Sequence, residues 1–156
     1  VIGGYMYRNI LLSTDGSKLS EEAVKRGVEL AKSINAKITG LYVIPKPTPG
    51  DIWDVWAPEN TEEGKMFRTK FEASFECAAA RYISVIENTA KEAGVPCECF
   101  YVRGESPSDE IIKAAQDKGC DLIIMASHGR GGIGSFLGSV TTKVLAGSKI
   151  SVLVHR

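Results

Sequence analysis

The sequence predicts an α/β fold: a single open sheet of five parallel strands with helices on both faces. Short apolar runs alternate with helical patterns in the order βαβαβαβαβ along the 156 residues. This order is typical of a parallel sheet whose strands are joined by right-handed helical crossovers. The strand-like runs lack polar alternation, as expected of strands that are buried on both faces. The length and the apolar fraction of 44% suit one globular domain over residues 1–156.

The first helix is predicted between two strands, at 9–14 and 37–44. The run of Ile10, Leu11 and Leu12 indicates a buried strand. Ser17 or Ser20 can cap the helix that follows, with Glu21 and Glu22 in its first turn. Its apolar stripe consists of Ala23, Gly27, Leu30, Ala31 and Ile34. These features define the first βαβ unit.

A long loop is predicted at 45–60, because its prolines disfavour regular structure. They are Pro45, Pro47, Pro49 and Pro58, and the same stretch carries Trp53 and Trp56. A long helix over 61–93 follows and ends at Gly94, with Pro96 just beyond. Its apolar positions are Phe67, Phe71, Phe75, Ala78, Tyr82 and Ile86, which we expect to be core residues. Residues 1–6 are expected to lie outside the fold, as a disordered or expression-derived terminus.

The second half of the chain repeats the alternation. A strand at 97–102 leads to a helix with Ser106 as N-cap, Pro107 at its first position and Asp109 in its first turn. Gly119 closes that helix. The fourth strand is predicted at 121–126, a short helix at 140–146 and the fifth strand at 150–154.

Composition excludes several classes of function. The 19 basic and 19 acidic residues balance, so the chain has no excess of positive charge that would attract nucleic acid or an anionic membrane. No apolar run approaches the ~20 residues of a membrane span, and VIGGYMY lacks the features of a signal peptide. We therefore expect a soluble, cytoplasmic protein that binds neither nucleic acid nor membrane.

The four cysteines contain no CxxC pair with metal-ligand spacing. Reduced thiols are the favoured interpretation. Cys97 and Cys99 lie two positions apart in a predicted strand and so point to one face. This spacing also permits a redox or metal hypothesis.

In a parallel sheet of this kind, ligands bind at the carboxyl ends of the strands, where the strand order reverses. A glycine-rich loop follows the fourth strand, within DLIIMASHGRGGIGSFLGSV at 121–140. Main-chain amides freed by glycine at a helix N-terminus can bind a phosphate. These features indicate a nucleotide site.

Other motifs fit this loop less well. The glycines match GxGxxG, but a dinucleotide fingerprint follows the first strand and precedes an acidic residue about 20 positions on. The sequence has no Gly-Lys-Ser or Gly-Lys-Thr triplet, which excludes a Walker loop. Ser127 and His128 stand in ASHG rather than GxSxG, which disfavours nucleophilic catalysis.

Together these segments resemble the universal stress protein family, whose domain is Rossmann-like. The resemblance covers nearly the whole chain: NILLSTDGS, the strand LYVI, VRGESPSDEI, ASHG with its glycine-rich loop, and SVTTKVLAGSKISVLV. The nucleotide-binding branch carries Gly, two residues, Gly, nine residues, then Gly-Ser or Gly-Thr. Here Ala126 replaces the first glycine, and eight residues separate Gly129 from Gly138. One missing residue removes at most ~3.5 Å of chain, which a glycine-rich loop can absorb.

The resemblance implies an adenine-nucleotide site. Asp15 would lie beside the ribose and adenine, the main chain of Val43 would meet the adenine edge, and Met125 would line the base pocket. Amides or a hydroxyl near the helix N-terminus would bind the phosphates, with Arg130 adding a charge-assisted contact. The complete predicted set is Thr14, Asp15, Val43, Gly104, Met125, Ala126, Ser127, His128, Gly129, Arg130, Gly138, Ser139 and Val140. The ligand would be ATP, ADP or AMP, with Mg²⁺ or Mn²⁺ carried by the phosphates.

Two classes of function stay open: a regulatory ATP-binding stress protein and a nucleotide-free interaction module. Asp15, Gly16 and Ser17 also suit a simple turn and cap, and the glycine-rich loop could be a connector. No general base, Walker lysine or paired carboxylate stands out, so ATP hydrolysis should be slow at most. A flavodoxin-like redox domain draws support from topology alone.

The C-terminal strand ISVLV is predicted near an edge of the sheet, where an unprotected apolar strand can pair with another chain. The resemblance implies a homodimer through this strand, with Val152, Leu153 and Val154 in the interface. Protein partners other than a second copy are not indicated by the sequence.

Overall fold

The computed structural model describes residues 6–46, 57–129 and 136–156. In chain order the elements are β1 (Asn9–Thr14), α1 (Lys18–Ile34), β2 (Lys37–Pro45), α2 (Glu62–Ala93), β3 (Cys97–Gly104), α3 (Pro107–Asp117), β4 (Leu122–Ala126), α4 (Ser139–Gly147) and β5 (Ser151–His155). The strands form one parallel sheet in the order β3-β2-β1-β4-β5. The predicted open five-stranded sheet is confirmed.

Helices cover both faces of this sheet, because alternate residues of the central strands point to opposite sides. Ile10 and Leu12 of β1 pack toward α1 and α2, whereas Leu11 packs toward α3 and α4. The cluster on the first side includes Val24, Val28, Ile38, Ile86, Leu122 and Ile124. The cluster on the second side includes Leu41, Val43, Ile111, Ala115, Ile123, Met125 and Val144. The apolar runs, which have no polar residues at alternate positions, are therefore strands that are buried on both faces of the sheet.

The helix termini follow local chemistry. Ser17 caps α1, since its side chain accepts a hydrogen bond from the Ser20 amide at 3.2 Å. Thr61 caps α2 in the same way through the Gly64 amide. Ser106 occupies the N-cap of α3, but its Oγ lies 3.1 Å from Ser108 Oγ and makes no bond to the helix backbone. Of the two caps predicted for α1, Ser17 is the one observed, and Ser106 occupies the predicted N-cap position of α3 without a capping bond.

The expectation that the aromatic residues of α2 are core residues is wrong for the first half of the helix. Phe67 is 48% exposed, and Phe71 and Phe75 are only half-buried. The helix has 32 residues at ~1.5 Å each, whereas the strands of the sheet have at most nine residues, so the helix is longer than the sheet beneath it. Its first half therefore extends beyond the sheet. Burial therefore begins near Ala79 and continues through Tyr82 and Ile86. No helix in the described ranges has the length and apolarity to cross a membrane.

The loop predicted at 45–60 begins later than expected. Pro45 is the last residue of β2, where it pairs with Gly104 of β3. Proline removes only the bond that its own N–H would donate, and the Lys46 amide continues the pairing to the Gly104 carbonyl at 2.9 Å. Most of this loop, with Trp53 and Trp56, lies outside the described residues, as does the predicted terminus except for the exposed Met6.

The central strands separate at their carboxyl ends. β1 pairs with β4 only over Ile10–Leu12, whereas its pairing with β2 continues to Thr14. Beyond Leu12 the chain turns into α1 on one face of the sheet, and the chain after β4 reaches α4 on the other face. A crevice therefore opens where the strand order reverses.

Candidate functional site

A cleft lies at this crevice and encloses about 210 Å³. Its lining includes most of the predicted site residues that are described: Thr14, Asp15, Val43, Met125, Ala126, His128, Gly129 and Val140. Residues that the sequence did not single out as ligand contacts complete it: Ser13, Ser20, Tyr42, Pro45, Pro107, Ile111 and Thr141. The topology thus brings together residues that lie more than 100 positions apart in the chain.

One wall is the turn between β1 and α1. Asp15 Oδ1 accepts the Ser17 amide at 3.0 Å, and Thr14 Oγ1 accepts the Gly16 amide at 3.1 Å. Thr14 Oγ1 also lies 3.0 Å from Ser20 Oγ, which donates to the Ser17 carbonyl at 2.8 Å. Gly16 has φ +73°, and a Cβ at this position would collide with the ring of Tyr82. The predicted turn and cap are therefore present, and they fix the carboxylate of Asp15 at the cleft.

The opposite wall begins at Gly129. A Cβ built on Gly129 would collide with Asp15 Oδ2, so a larger residue here would require the end of the Asp15 side chain to move. Ala126 precedes it at the end of β4 and is 8% exposed. Its methyl group belongs to the wall of the cleft.

The side of the cleft toward α3 and α4 is apolar. Val43 and Met125 project from the ends of β2 and β4, and Ile111 of α3 packs in the same cluster. Val140 at the start of α4 packs against this cluster. Apolar walls with a few polar groups at one end are typical of pockets that bind flat heterocycles.

The N-terminus of α4 provides the positive end of the cleft. Ser139, Val140 and Thr141 occupy its first turn, where the amides have no carbonyl of the same helix to bind. Thr141 Oγ1 donates to the Ala126 carbonyl at 2.9 Å and so fixes α4 to the end of β4. A helix start held in this way favours an anionic group.

The Gly138 amide has another role than the one predicted for it. It donates to the Ser127 carbonyl at 2.7 Å, which leaves it unavailable to a phosphate in this conformation. A Cβ at this position would lie 3.2 Å from His128 Cα, closer than an ordinary contact. Gly138 therefore allows close packing of the helix start against the chain after β4.

Ser127 and His128 form a local pair. Ser127 Oγ lies 3.0 Å from His128 Nδ1, and Ser127 is buried. The Ser127 amide also donates to the His155 carbonyl of β5 at 2.7 Å. With its hydroxyl and amide engaged, Ser127 connects β4, α4 and β5, while His128 lies on the cleft wall.

Gly104 is not among the residues that line the cleft, although it pairs with Pro45, which is. A Cβ on Gly104 would collide with Glu110, which explains a glycine here by helix packing. Arg130 lies outside the described residues.

Some lining residues were missed by the sequence analysis. Tyr42 and Pro45 lie close to Val43 at the end of the same strand, so the rule that ligands bind at strand ends could have found them. Ile111 and Thr141 lie on helices, and the sequence did not show where these helices pack.

Comparison with known proteins identifies the family and agrees with the fold. The model of the universal stress protein family matches residues 6–156. Universal stress protein YxiE of Bacillus subtilis is 32% identical over 158 residues, which cover 97% of this chain and 100% of YxiE. Universal stress protein MJ0577 of Methanocaldococcus jannaschii is 32% identical over 158 residues, covering 96% of this chain and 94% of MJ0577.

Two solved structures are similar over almost their entire length. The structure of MJ0577 superposes with a TM-score of 0.77 at 30% identity and covers 96% of both chains. A universal stress protein in complex with cAMP superposes with a TM-score of 0.62 at 27% identity and covers 95% of both chains. With the family model matching nearly every residue, this chain belongs to the universal stress protein family.

Proposed function

We propose that this protein binds an adenine nucleotide, with ATP as the principal ligand, and acts as a cytoplasmic regulator in the stress response. One observation carries the proposal. The cleft between β1 and β4 places an apolar slot, the Asp15 carboxylate and the N-terminus of α4 around one space. These three features match the base, the sugar and the phosphates of a nucleotide in order.

The adenine would lie in the slot formed by Val43, Met125 and Ile111. Apolar side chains cover the faces of the base, while main-chain groups at the end of β2 can meet its polar edge. The ribose hydroxyls would then lie near Asp15 Oδ2. The volume of about 210 Å³ is below the ~300–1,000 Å³ of typical small-molecule pockets, so the phosphates would lie along the rim.

The phosphates would accept hydrogen bonds from the first-turn amides of α4 and from the hydroxyl of Ser139. The helix dipole adds a favourable interaction with a negative charge at this end. Arg130 would supply a charge-assisted contact. Asp15 is the one carboxylate among the described residues of the cleft wall, so Mg²⁺ or Mn²⁺ would be coordinated mainly by phosphate oxygens and water.

The described residues of the cleft offer little for rapid hydrolysis. His128 is held by Ser127, and Asp15 Oδ1 is engaged by the Ser17 amide. Positioning an attacking water in line with the γ-phosphate needs a dedicated base or orienting group. We therefore expect slow turnover at most, and a signal that depends on occupancy.

A relative supports the nucleotide class. The universal stress protein solved with cAMP shares 27% of its residues with this chain and the same fold over 95% of both chains. The adenine and ribose of cAMP are the parts that the slot and Asp15 would bind here. The preference for ATP over other adenine nucleotides rests on the open α4 N-terminus, which can bind additional phosphates.

A nucleotide-free interaction module is the second candidate. Two observations favour it: Ala126 adds a methyl group to the cleft wall, and the Gly138 amide is already bonded to the Ser127 carbonyl. Both reduce the space and the donors available to a phosphate chain. In this case the protein would act through protein contacts alone.

Calorimetric titration distinguishes the two candidates. The purified chain is titrated with Mg-ATP, AMP, adenosine and Mg-GTP, together with variants that carry valine at Gly129 or Gly138. Binding of ATP with selectivity over GTP, lost in both variants, supports the nucleotide site. Absence of heat and of ATP-dependent thermal stabilisation at millimolar ATP would leave the interaction module as the function.

A further inference from the structure

Cys97 and Cys99 form a pair of thiols at the opposite end of the sheet from the cleft. They alternate with Glu98 on β3, so both side chains point to the α2 side, and their Sγ atoms lie 3.2 Å apart. Both residues are half-buried. β3 pairs with β2 on one side and forms an edge of the described sheet on the other.

Gly40 leaves space for this pair of thiols, because it has no side chain. Gly40 lies opposite Cys99 in the register of β2 and β3, and a Cβ at position 40 would collide with Cys99 Sγ. The same Cβ would also lie 3.0 Å from Ile86 of α2. The sulfur of Cys99 thus occupies the volume of a missing side chain, between the sheet and α2.

The hydrogen bond between the thiols makes them chemically different. The bond between the two sulfur atoms lowers the pKa of Cys97 against the opposing effects of burial and of the Glu87 carboxylate. The same bond, with burial, raises the pKa of Cys99. Cys97 is therefore the better nucleophile, because the thiolate is the reactive form. Burial raises the pKa of Cys120, which makes that thiol less reactive.

We propose that Cys97 and Cys99 are a peroxide-reactive dithiol that closes to a reversible disulfide within β3. The Cys97 thiolate attacks a hydroperoxide: an S–O bond forms, the O–O bond breaks, hydroxide or alkoxide leaves, and Cys97 becomes a sulfenic acid. Cys99 then attacks the Cys97 sulfur. An S–S bond forms, the S–O bond breaks, and water leaves with the proton of Cys99.

The backbone permits this closure. Residues two apart in a strand have Cα atoms ~6.6 Å apart, just inside the ~6.8 Å limit for a disulfide. The sulfur atoms must approach from 3.2 Å to ~2.05 Å. An edge strand can bend to allow this, because one of its sides carries no neighbouring strand in the described sheet. A disulfide near the geometric limit is strained, so dithiols should reduce it readily.

The test uses the full chain and one equivalent of hydrogen peroxide, followed by alkylation and peptide mapping. We expect the peptide with Cys97 and Cys99 to lose the mass of two hydrogen atoms and to resist alkylation, and dithiothreitol to reverse this. Cys77, exposed on α2, is the control thiol within the same molecule. It should react at least tenfold more slowly than Cys97.

Two variants separate the roles of the thiols. In Cys99→Ser, a sulfenic acid should persist at Cys97 and be trapped by dimedone; in Cys97→Ser, position 99 should stay reduced. Equal or faster oxidation of Cys77, disulfides between molecules, or conversion of Cys97 to sulfinic acid without joining Cys99 would each overturn the proposal. Nucleotide binding does not enter this test, so its outcome is independent of the proposed function.

Discussion

The Asp15 carboxylate lies against the backbone of Gly129, in the position at which a side chain on residue 129 would begin. The two residues follow neighbouring strands, β1 and β4, that have already separated at this point. The turn after β1 holds the carboxylate through the Ser17 amide. This contact lies at the proposed ribose site.

Gly129→Ala should destabilise the fold and abolish nucleotide binding. Among the described residues, positive φ values occur at Asn35, Gly16, Gly94 and Gly119, so the backbone of Gly129 itself accepts alanine and the cost comes from the contact. We expect a cost of ~1 kcal/mol, the low end of the range for overpacking, because the end of the Asp15 side chain can shift away from the new methyl group. Urea unfolding of Gly129→Ala, Asp15→Ala and the double variant measures it. The double variant should recover part of the loss; strict additivity would contradict the contact.

Ser139→Asp should weaken ATP binding without weakening the fold. A carboxylate in the first turn of α4 stabilises the helix by ~0.3–1 kcal/mol but repels phosphates bound there. We expect at least a tenfold loss of ATP affinity, ~1.4 kcal/mol, with adenosine binding unchanged. Thr142→Asp, on an exposed position of the same helix outside the cleft wall, is the matched control. Equal losses in both variants, or a loss for adenosine as well, would speak against phosphates at this helix terminus.

Ala126→Gly should strengthen ATP binding. The substitution removes the methyl group that Ala126 contributes to the cleft and creates the first glycine of the nucleotide-binding signature. Glycine within a strand costs ~0.5–1 kcal/mol of stability, so thermal unfolding should fall slightly while affinity rises severalfold. Calorimetry of both proteins at one temperature provides the comparison. Unchanged affinity would mean that the methyl group does not limit the site.

The family resemblance predicts a homodimer that pairs through β5, and Val154→Lys or Val152→Lys should convert it into a monomer. β5 forms the edge of the sheet, and Leu153 is 41% exposed on it. A lysine on an edge strand opposes pairing with a second copy. Light scattering after size exclusion gives the mass, and far-ultraviolet circular dichroism confirms folding. Leu145→Lys, at an equally exposed leucine of α4, is the control and should leave the dimer intact; a dimer that persists in both β5 variants removes this interface.

Local chemistry in the sequence was sufficient for most of the fold. The run from Ile10 to Leu12 indicated a strand with two buried faces, and Ser17 and Thr61 stand where capping chemistry requires them. The aromatic residues of α2 could not be placed, because a helical period shows which residues share a face but not where the sheet beneath it ends. Phe67 therefore has the pattern of a core residue and an exposed position.

The site residues that lie at strand ends could be predicted from the sequence. Those that are positioned by the packing of helices could not. Asp15, Val43 and Met125 follow from the rule for parallel sheets, and they do line the cleft. Gly104 also lies at a strand end and pairs with Pro45 of the lining, but it is not a lining residue itself, and a Cβ on it would meet Glu110 of α3, a contact that no local pattern predicts. The bond from the Gly138 amide to the Ser127 carbonyl likewise depends on the path of the chain after β4.

The pairing of β1 with β4 determines how late the fold can be completed while the protein is synthesised on the ribosome. Leu12 is made early, but its partner Ile124 follows more than 100 positions later. A contact of such long range closes late and slowly during folding. The cleft is complete only when α4 has also emerged, so the proposed nucleotide would find a complete site on finished chains and none on a nascent one. Nucleotide bound in this way would stabilise folded, finished molecules, and the stabilisation would rise with the logarithm of its concentration above Kd.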